Sequence, residues 1–73
     1  MRDPRKDPVA GDVITRFGTT RSVTDITRNA RGTVTHVTYR HPAVEVPPVV
    51  ATISSWRSWA KTDAMIVTQA VAN

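Results

Sequence analysis

The sequence predicts a mainly β fold: a small antiparallel sheet or barrel of four to five strands, with one short helix near the C-terminus. Three observations carry this. Runs of roughly five to seven residues rich in Val, Ile and Thr recur about every ten residues, each bounded by Gly, Asn or Pro. Thr and Val occur eleven times each, and β-branched side chains, stiff at χ1, suit a pleated surface. The period then changes once, where Trp56, Trp59 and Ala60 stand at i, i+3 and i+4.

Taken in order, strand one spans Asp12 to Phe17 and closes at Gly18 in a turn with Thr19 and Thr20. By alternation, Val13, Thr15 and Phe17 share one face, while Ile14 and Arg16 share the other. Strand two runs from Arg21 to Thr27. It ends in the loop Arg28 to Gly32, where an Asn, two intervening residues and a Gly predict a short hairpin with glycine in the left-handed conformation. Strand three is Thr33 to Tyr39. Pro42, Pro47 and Pro48 then forbid a central strand across residues 41–48, and strand four follows at Val49 to Ile53. A helix of about two turns, capped by Ser54 or Ser55, ends before Asp63; Lys61 near its end suits the helix dipole. Ala64 to Val71 is read as the last strand, with a helical continuation as the alternative. Five short strands with one helical turn before the last describe an SH3-like barrel; an OB-like barrel is a poorer fit to this length.

Residues 1–8 carry two prolines and five charges, and after Met1 no large apolar group. They are expected to form a flexible basic arm, with residues 9–73 as a single small domain. A chain of 73 residues buries only about 60% of its unfolded surface, so the core is thin. A catalytic pocket would compete with that core for the same side chains. There is no cysteine, which removes disulfides, thiolate nucleophiles and cysteine zinc sites. The N-terminus has no apolar stretch behind its charges, and no apolar run reaches membrane-spanning length. A reducing cytoplasm is the expectation.

Reactive groups are few. Ser22, Ser54, Ser55 and Ser58 lack a nucleophile-elbow turn. Asp12, Asp25, Glu45 and Asp63 fall on separate elements. His36 and His41 have odd spacing and would point to opposite faces of one strand, with too few partners for a metal shell. Gly11, Gly18 and Gly32 lie in separate turns and build no phosphate-binding loop. No catalytic, cofactor-binding or metal-binding residues are therefore assigned, and the chain is expected not to be an enzyme.

What remains is contact. The net charge is +4, and eight of the ten basic residues are arginine, whose planar fork pairs bidentately with phosphate or carboxylate. The candidate partner-binding residues are Arg2, Arg5 and Lys6 on the arm, Arg16, Arg21, Arg28 and Arg31 on strands or hairpin edges, and Trp56. The two tryptophans are read first as the plug of the barrel's open end, because a thin core needs large side chains. If one ring is exposed as an anchor, Trp56 is that ring, being nearer the helix start. No helix is long and basic enough to fill a DNA major groove. Phe17 and Tyr39 alone offer stacking surfaces on strands for single-stranded RNA.

Several short motifs also carry a likeness. Pro8-x-x-Gly-Asp-Val13, Arg21-x-Val23, Val34-Thr35 with Tyr39, and Ile53-x-x-Trp56-x-x-Trp59-Ala60 resemble small proteins encoded by phages and prophages of Gram-negative bacteria. The likeness covers about residues 8–67. In size, charge and apparent architecture the chain is also similar to the early proteins by which phages, one of Xanthomonas among them, regulate host RNA polymerase. That resemblance implies binding to the polymerase near the start of its β′ subunit, in the cytoplasm of a bacterial host cell; the chain itself is expected to be a monomer. The resemblance further implies inhibition of initiation and antitermination in the course of host takeover. Contact with RNA or DNA through arginines is the alternative, and a role in virion assembly a further one.

Overall fold

Thr19 to Arg28 holds ten residues in one strand, long enough to pair with two neighbours in succession, and the whole architecture follows from that. The structure, a computed structural model, describes residues 2–70. Its elements are β1 (Val13–Arg16), β2 (Thr19–Arg28), β3 (Val34–Arg40), β4 (Val49–Thr52), α1 (Ile53–Trp59) and β5 (Met65–Thr68). The strands form one sheet in the order β4-β3-β2-β1-β5, with every pairing antiparallel. The first part of β2 pairs with β1, from Thr19 opposite Arg16 to Ser22 opposite Val13. The remainder pairs with β3, from Ser22 opposite Arg40 to Arg28 opposite Val34. The register shifts between Val23 and Asp25, leaving Thr24 as an extra residue that bends the strand. A long bent second strand and a short helix between the last two strands agree with the SH3-like arrangement expected.

Two hairpins show how local chemistry fixes the register. At the β2–β3 turn the Asn29 side chain accepts from the N–H groups of Arg31 (2.9 Å) and Thr33 (3.1 Å). Gly32 closes the loop at φ +80°, as the spacing predicted. At the β1–β2 turn Arg16 pairs directly with Thr19, so the turn is only Phe17 and Gly18, not Gly18 to Thr20. Both have positive φ, 50° and 75°, the geometry that matches strand twist in a two-residue turn. Thr19 and Thr20, β-branched, join the strand instead.

The helix begins with Ile53, and Thr52 is its cap: the threonine hydroxyl accepts from the Ser55 N–H at 3.1 Å. This corrects the expectation of a serine cap. Ile53, partly buried against the core, starts the helix, so the extended residue before it takes the capping position. The last strand is shorter than the Ala64 to Val71 expected, ending at Thr68; Val71 lies outside the described residues. Among the described residues no helix is long and apolar enough to cross a membrane.

Ile14, Val23, Val37, Trp56, Ala60 and Ala64 form the buried core, with Ile26, Tyr39, Ile53 and Trp59 packed on it. Pro4 and Pro8 are also fully buried, which corrects the expectation of a free arm. The Trp56 Nε1–H donates to the Pro4 carbonyl at 3.2 Å. Arg57 Nε donates to the Lys6 carbonyl at 3.0 Å, and Arg5 donates to the Thr62 carbonyl at 3.0 Å. Residues 2–8 are therefore part of the domain's packing, held by partners that lie far away in the chain.

Candidate functional site

The eight predicted partner-binding residues fall into five environments. Trp56 has 0% exposure and lies 5.8 Å from Tyr39 and 5.5 Å from Trp59, ring centre to ring centre. It presents no ring to a partner; the plug reading of the tryptophans holds for it. Arg2 is bound to Asp12 through two contacts, 2.6 and 3.1 Å, and donates to the Ala70 carbonyl. Its guanidinium serves the fold.

Arg5 and Lys6 form one side of an open groove of about 540 Å³, completed by Asp3, Arg57, Ala60, Lys61 and Thr62. Four cations meet there. Arg5 is held by Asp3 at 3.1 Å, and this hydrogen bond keeps the Asp3 carboxyl below its usual pKa. Arg57 lies 3.6 Å from Asp7. Sequence reasoning missed Arg57 and saw Lys61 only as a helix-end charge, because the groove exists only once residues 3–6 dock beside α1. Arg28 and Arg31 are elsewhere, exposed at the end of β2 and its hairpin loop, with Arg28 donating to the Gly32 carbonyl at 3.0 Å. The arginines do not converge on one surface.

Arg16 and Arg21 stand near the opposite end of β2 and gather the aromatic side chains. Arg16 donates to the Trp59 carbonyl at 2.6 Å and to Asp63 at 3.1 Å, and its guanidinium lies 4.5 Å from the Phe17 ring centre. The Arg21 guanidinium lies over two rings, 4.3 Å from the centre of Tyr39 and 4.0 Å from that of Trp59. Each such contact stabilises by about 0.5–2 kcal/mol, more when water is excluded. Burial lowers the Arg21 pKa from its ordinary value, with a smaller opposing influence from Tyr39.

At the β1–β2 hairpin tip and along β5 the surface turns apolar. Phe17 is 82% exposed, Met65 68% and Val67 60%. Met65 sits opposite Thr15, two residues before Phe17, and β5 is an edge of the sheet. Sequence reasoning placed Phe17 on a strand face with Val13 and Thr15; the signal it passed over was a Phe-Gly pair between two strands, a hairpin tip. A phenylalanine there carries strain, since a positive φ in a residue with a β-carbon costs about 1–2 kcal/mol. Phe17→Asn would place the favoured Asn-Gly pair in the turn. We expect it to raise the unfolding free energy by about 0.5–1 kcal/mol, once the lost Arg16 contact is subtracted. Urea unfolding measures this, and a destabilised variant would show that the ring packs better than its exposure implies.

The two histidines have structural partners. His36 faces Thr27 and Thr52 across the sheet, its Nδ1 3.0 Å from the Thr35 hydroxyl. His41 accepts from the Ala43 N–H at 3.1 Å in the loop before β4. Among the described residues no three His, Cys, Asp or Glu side chains converge as metal ligands would. Set against known proteins, the chain matches no family model, no curated protein and no solved structure.

Proposed function

We propose that this protein is a non-enzymatic module that binds a protein partner at the β5 edge and the neighbouring Phe17 tip. The carrying observation is the run of exposed apolar side chains Met65, Ile66 and Val67, with exposed Phe17 at the hairpin tip, on a strand whose outer backbone groups have no neighbouring strand among the described residues. Edge strands pair readily with a strand from another chain, main-chain hydrogen bonds giving affinity and alternate side chains specificity. The net charge of +4 steers such a module towards acidic surfaces.

The resemblance to phage regulators names bacterial RNA polymerase as that partner, in the cytoplasm of the host. A small basic wedge beside the RNA exit channel would disturb initiation and deny space to a terminator hairpin. The groove of Arg5, Lys6, Arg57 and Lys61 favours a second reading, direct binding of nucleic acid by its phosphates.

Affinity capture from bacterial lysate, with and without nuclease, separates the two. The expected result is recovery of polymerase that survives nuclease and is lost when Met65 and Val67 are both changed to Lys. Recovery that disappears with nuclease would favour the second reading. Failure to retain any polymerase subunit, also with the purified enzyme, would remove the first.

A further inference from the structure

Four cations converge on one groove that the protein-binding reading leaves unused. Arg5 and Lys6 come from the N-terminal segment, Arg57 from the last turn of α1 and Lys61 from just beyond it, and about 540 Å³ opens between them. The two walls are tied to each other. Arg5 donates to the Thr62 carbonyl at 3.0 Å, and Arg57 donates to the Lys6 carbonyl at 3.0 Å. Arg5 is also held by Asp3 at 3.1 Å, and Arg57 has the exposed Asp7 at 3.6 Å. Among the described residues Lys6 and Lys61 form no ion pair, and both are exposed.

Bringing like charges together is unfavourable, and the helix alone does not account for it. A helix C-terminus is equivalent to about half a negative charge; α1 has seven residues, and Arg57 with Lys61 already exceed that. Arg5 and Lys6 add two more charges from a separate segment. A bound anion would set attraction to all four against their mutual repulsion.

The lining also limits the anion. Four cations less the Asp3 carboxylate leave three positive charges, more than one phosphate monoester, at about −1.5 to −2, neutralises. Single-stranded nucleic acid is held by a charged groove that tracks its backbone and by stacked bases. Here the cations are clustered and no lining residue is aromatic. Of the other arginines, Arg2 and Arg16 are bound by Asp12 and Asp63, and Arg28 and Arg31 stand at the β2–β3 hairpin. The volume lies within the range of about 300–1,000 Å³ typical of small-molecule sites.

We propose that this groove binds a compact phosphorylated compound with two adjacent phosphates. Lys6 and Lys61 supply the unpaired charges, and Arg5 and Arg57 supply guanidiniums already fixed by backbone carbonyls. Because the cations come from two segments, occupation fastens the N-terminal segment to α1. The inference goes beyond the protein-binding reading, whose β5 side chains it does not use, and makes nucleic acid the competing occupant.

Backbone amide signals of the full chain, titrated with pyrophosphate at fixed ionic strength, read the site in a nitrogen–proton correlation spectrum. Saturable shifts are expected at Lys6, Lys61 and Thr62, and none at Arg31 or Gly32. Changing Lys6→Gln and Lys61→Gln together should weaken binding about tenfold, the loss of two exposed charge contacts, with circular dichroism showing that the fold is kept. Pyrophosphate should raise the urea midpoint of the parent and leave that of the double variant nearly unmoved. Inorganic phosphate, oligouridine and a short DNA duplex are the comparison arms, and each should bind more weakly. No saturable shift, shifts away from the groove, undiminished binding by the double variant, equal affinity for inorganic phosphate, or tighter binding of either nucleic acid would each overturn the proposal. Polymerase capture does not bear on it, so the two readings fail separately.

Discussion

Trp56→Ala should leave the chain largely unfolded at 25 °C. The side chain is fully buried, contacts both Tyr39 and Trp59, and belongs to a small core cluster that it shares, among the described residues, with Ile14, Val23, Val37, Ala60 and Ala64. Truncating a buried tryptophan costs about 3–5 kcal/mol. The Pro4 carbonyl would also lose the indole N–H, which adds about 1–3 kcal/mol if water cannot replace it. A chain of 73 residues has a total stability of roughly 4–11 kcal/mol, so the loss takes most or all of it. Trp56→Phe keeps the ring packing and gives up the hydrogen bond and some volume. It should remain folded with a lower urea midpoint. Far-ultraviolet circular dichroism and urea titration test the pair, and a Trp56→Ala variant within about 1 kcal/mol of the parent would sink the claim that this ring organises the core.

The same ring marks where sequence reasoning works and where it stops. Helical spacing of Trp56, Trp59 and Ala60 identified the plug because periodicity reports which side chains share a face. The Asn29 to Gly32 turn was legible because its whole chemistry lies within five consecutive residues. The β1–β2 turn was displaced by one residue, since Gly18 marks a turn without saying which neighbour shares it. Phe17 is a poor residue for positive φ, so local preference argued against the turn that forms. The cap moved from serine to Thr52 for a related reason: Thr52, Ser54 and Ser55 offer the same capping chemistry within four residues, and the packing of Ile53 selects among them.

The N-terminal segment was misread because the local signals of a free arm and of a docked one are alike. Prolines and charges in residues 1–8 suit either state. What decides is Asp12 and Trp56, ten and fifty-two residues from their partners Arg2 and Pro4, and no local pattern encodes such distances. The consequence for the candidate site is direct. Arg2 is withdrawn from the surface, Arg5 and Lys6 join Arg57 and Lys61 in a groove, and the charge expected to be spread along an arm is concentrated beside α1. The contacts of Arg21 with Tyr39 and Trp59 were likewise invisible, because a strand's parity gives its face and not the ring that the helix lays over it.

Asp12 carries the other large expected effect. Its side chain has 0% exposure. One oxygen accepts from Arg2 at 2.6 Å and from the Val9 N–H at 2.8 Å; the other accepts from Arg2 at 3.1 Å and from the Ala70 N–H at 2.8 Å. One carboxylate thus joins the N-terminal segment, the entry to β1 and Ala70, two residues beyond β5. The adjoining Gly11 has φ +101°, and a β-carbon there would meet that of Ala70 at 3.0 Å, so the backbone is drawn in tightly around it. Asp12→Ala would strand the Arg2 charge and two N–H groups, at a cost of about 3–5 kcal/mol. Burial by itself pushes the Asp12 carboxyl upward, but the hydrogen bonds from Arg2, Val9 and Ala70 outweigh it, and the folded pKa lies below the ordinary value. The sign follows. The unfolded chain holds its proton up to about pH 3.9 while the folded one releases it at lower pH, so this contribution is complete above that pH and is lost as pH falls through the folded value. Asp3, also lowered by Arg5, acts in the same direction from a more exposed position and should matter less. Urea midpoints measured from pH 7 to pH 2 should therefore fall on the acid side in the parent, and fall less steeply in Asp12→Asn, which starts lower. Parallel curves for the two proteins would mean that the carboxylate is not what fastens the three segments together.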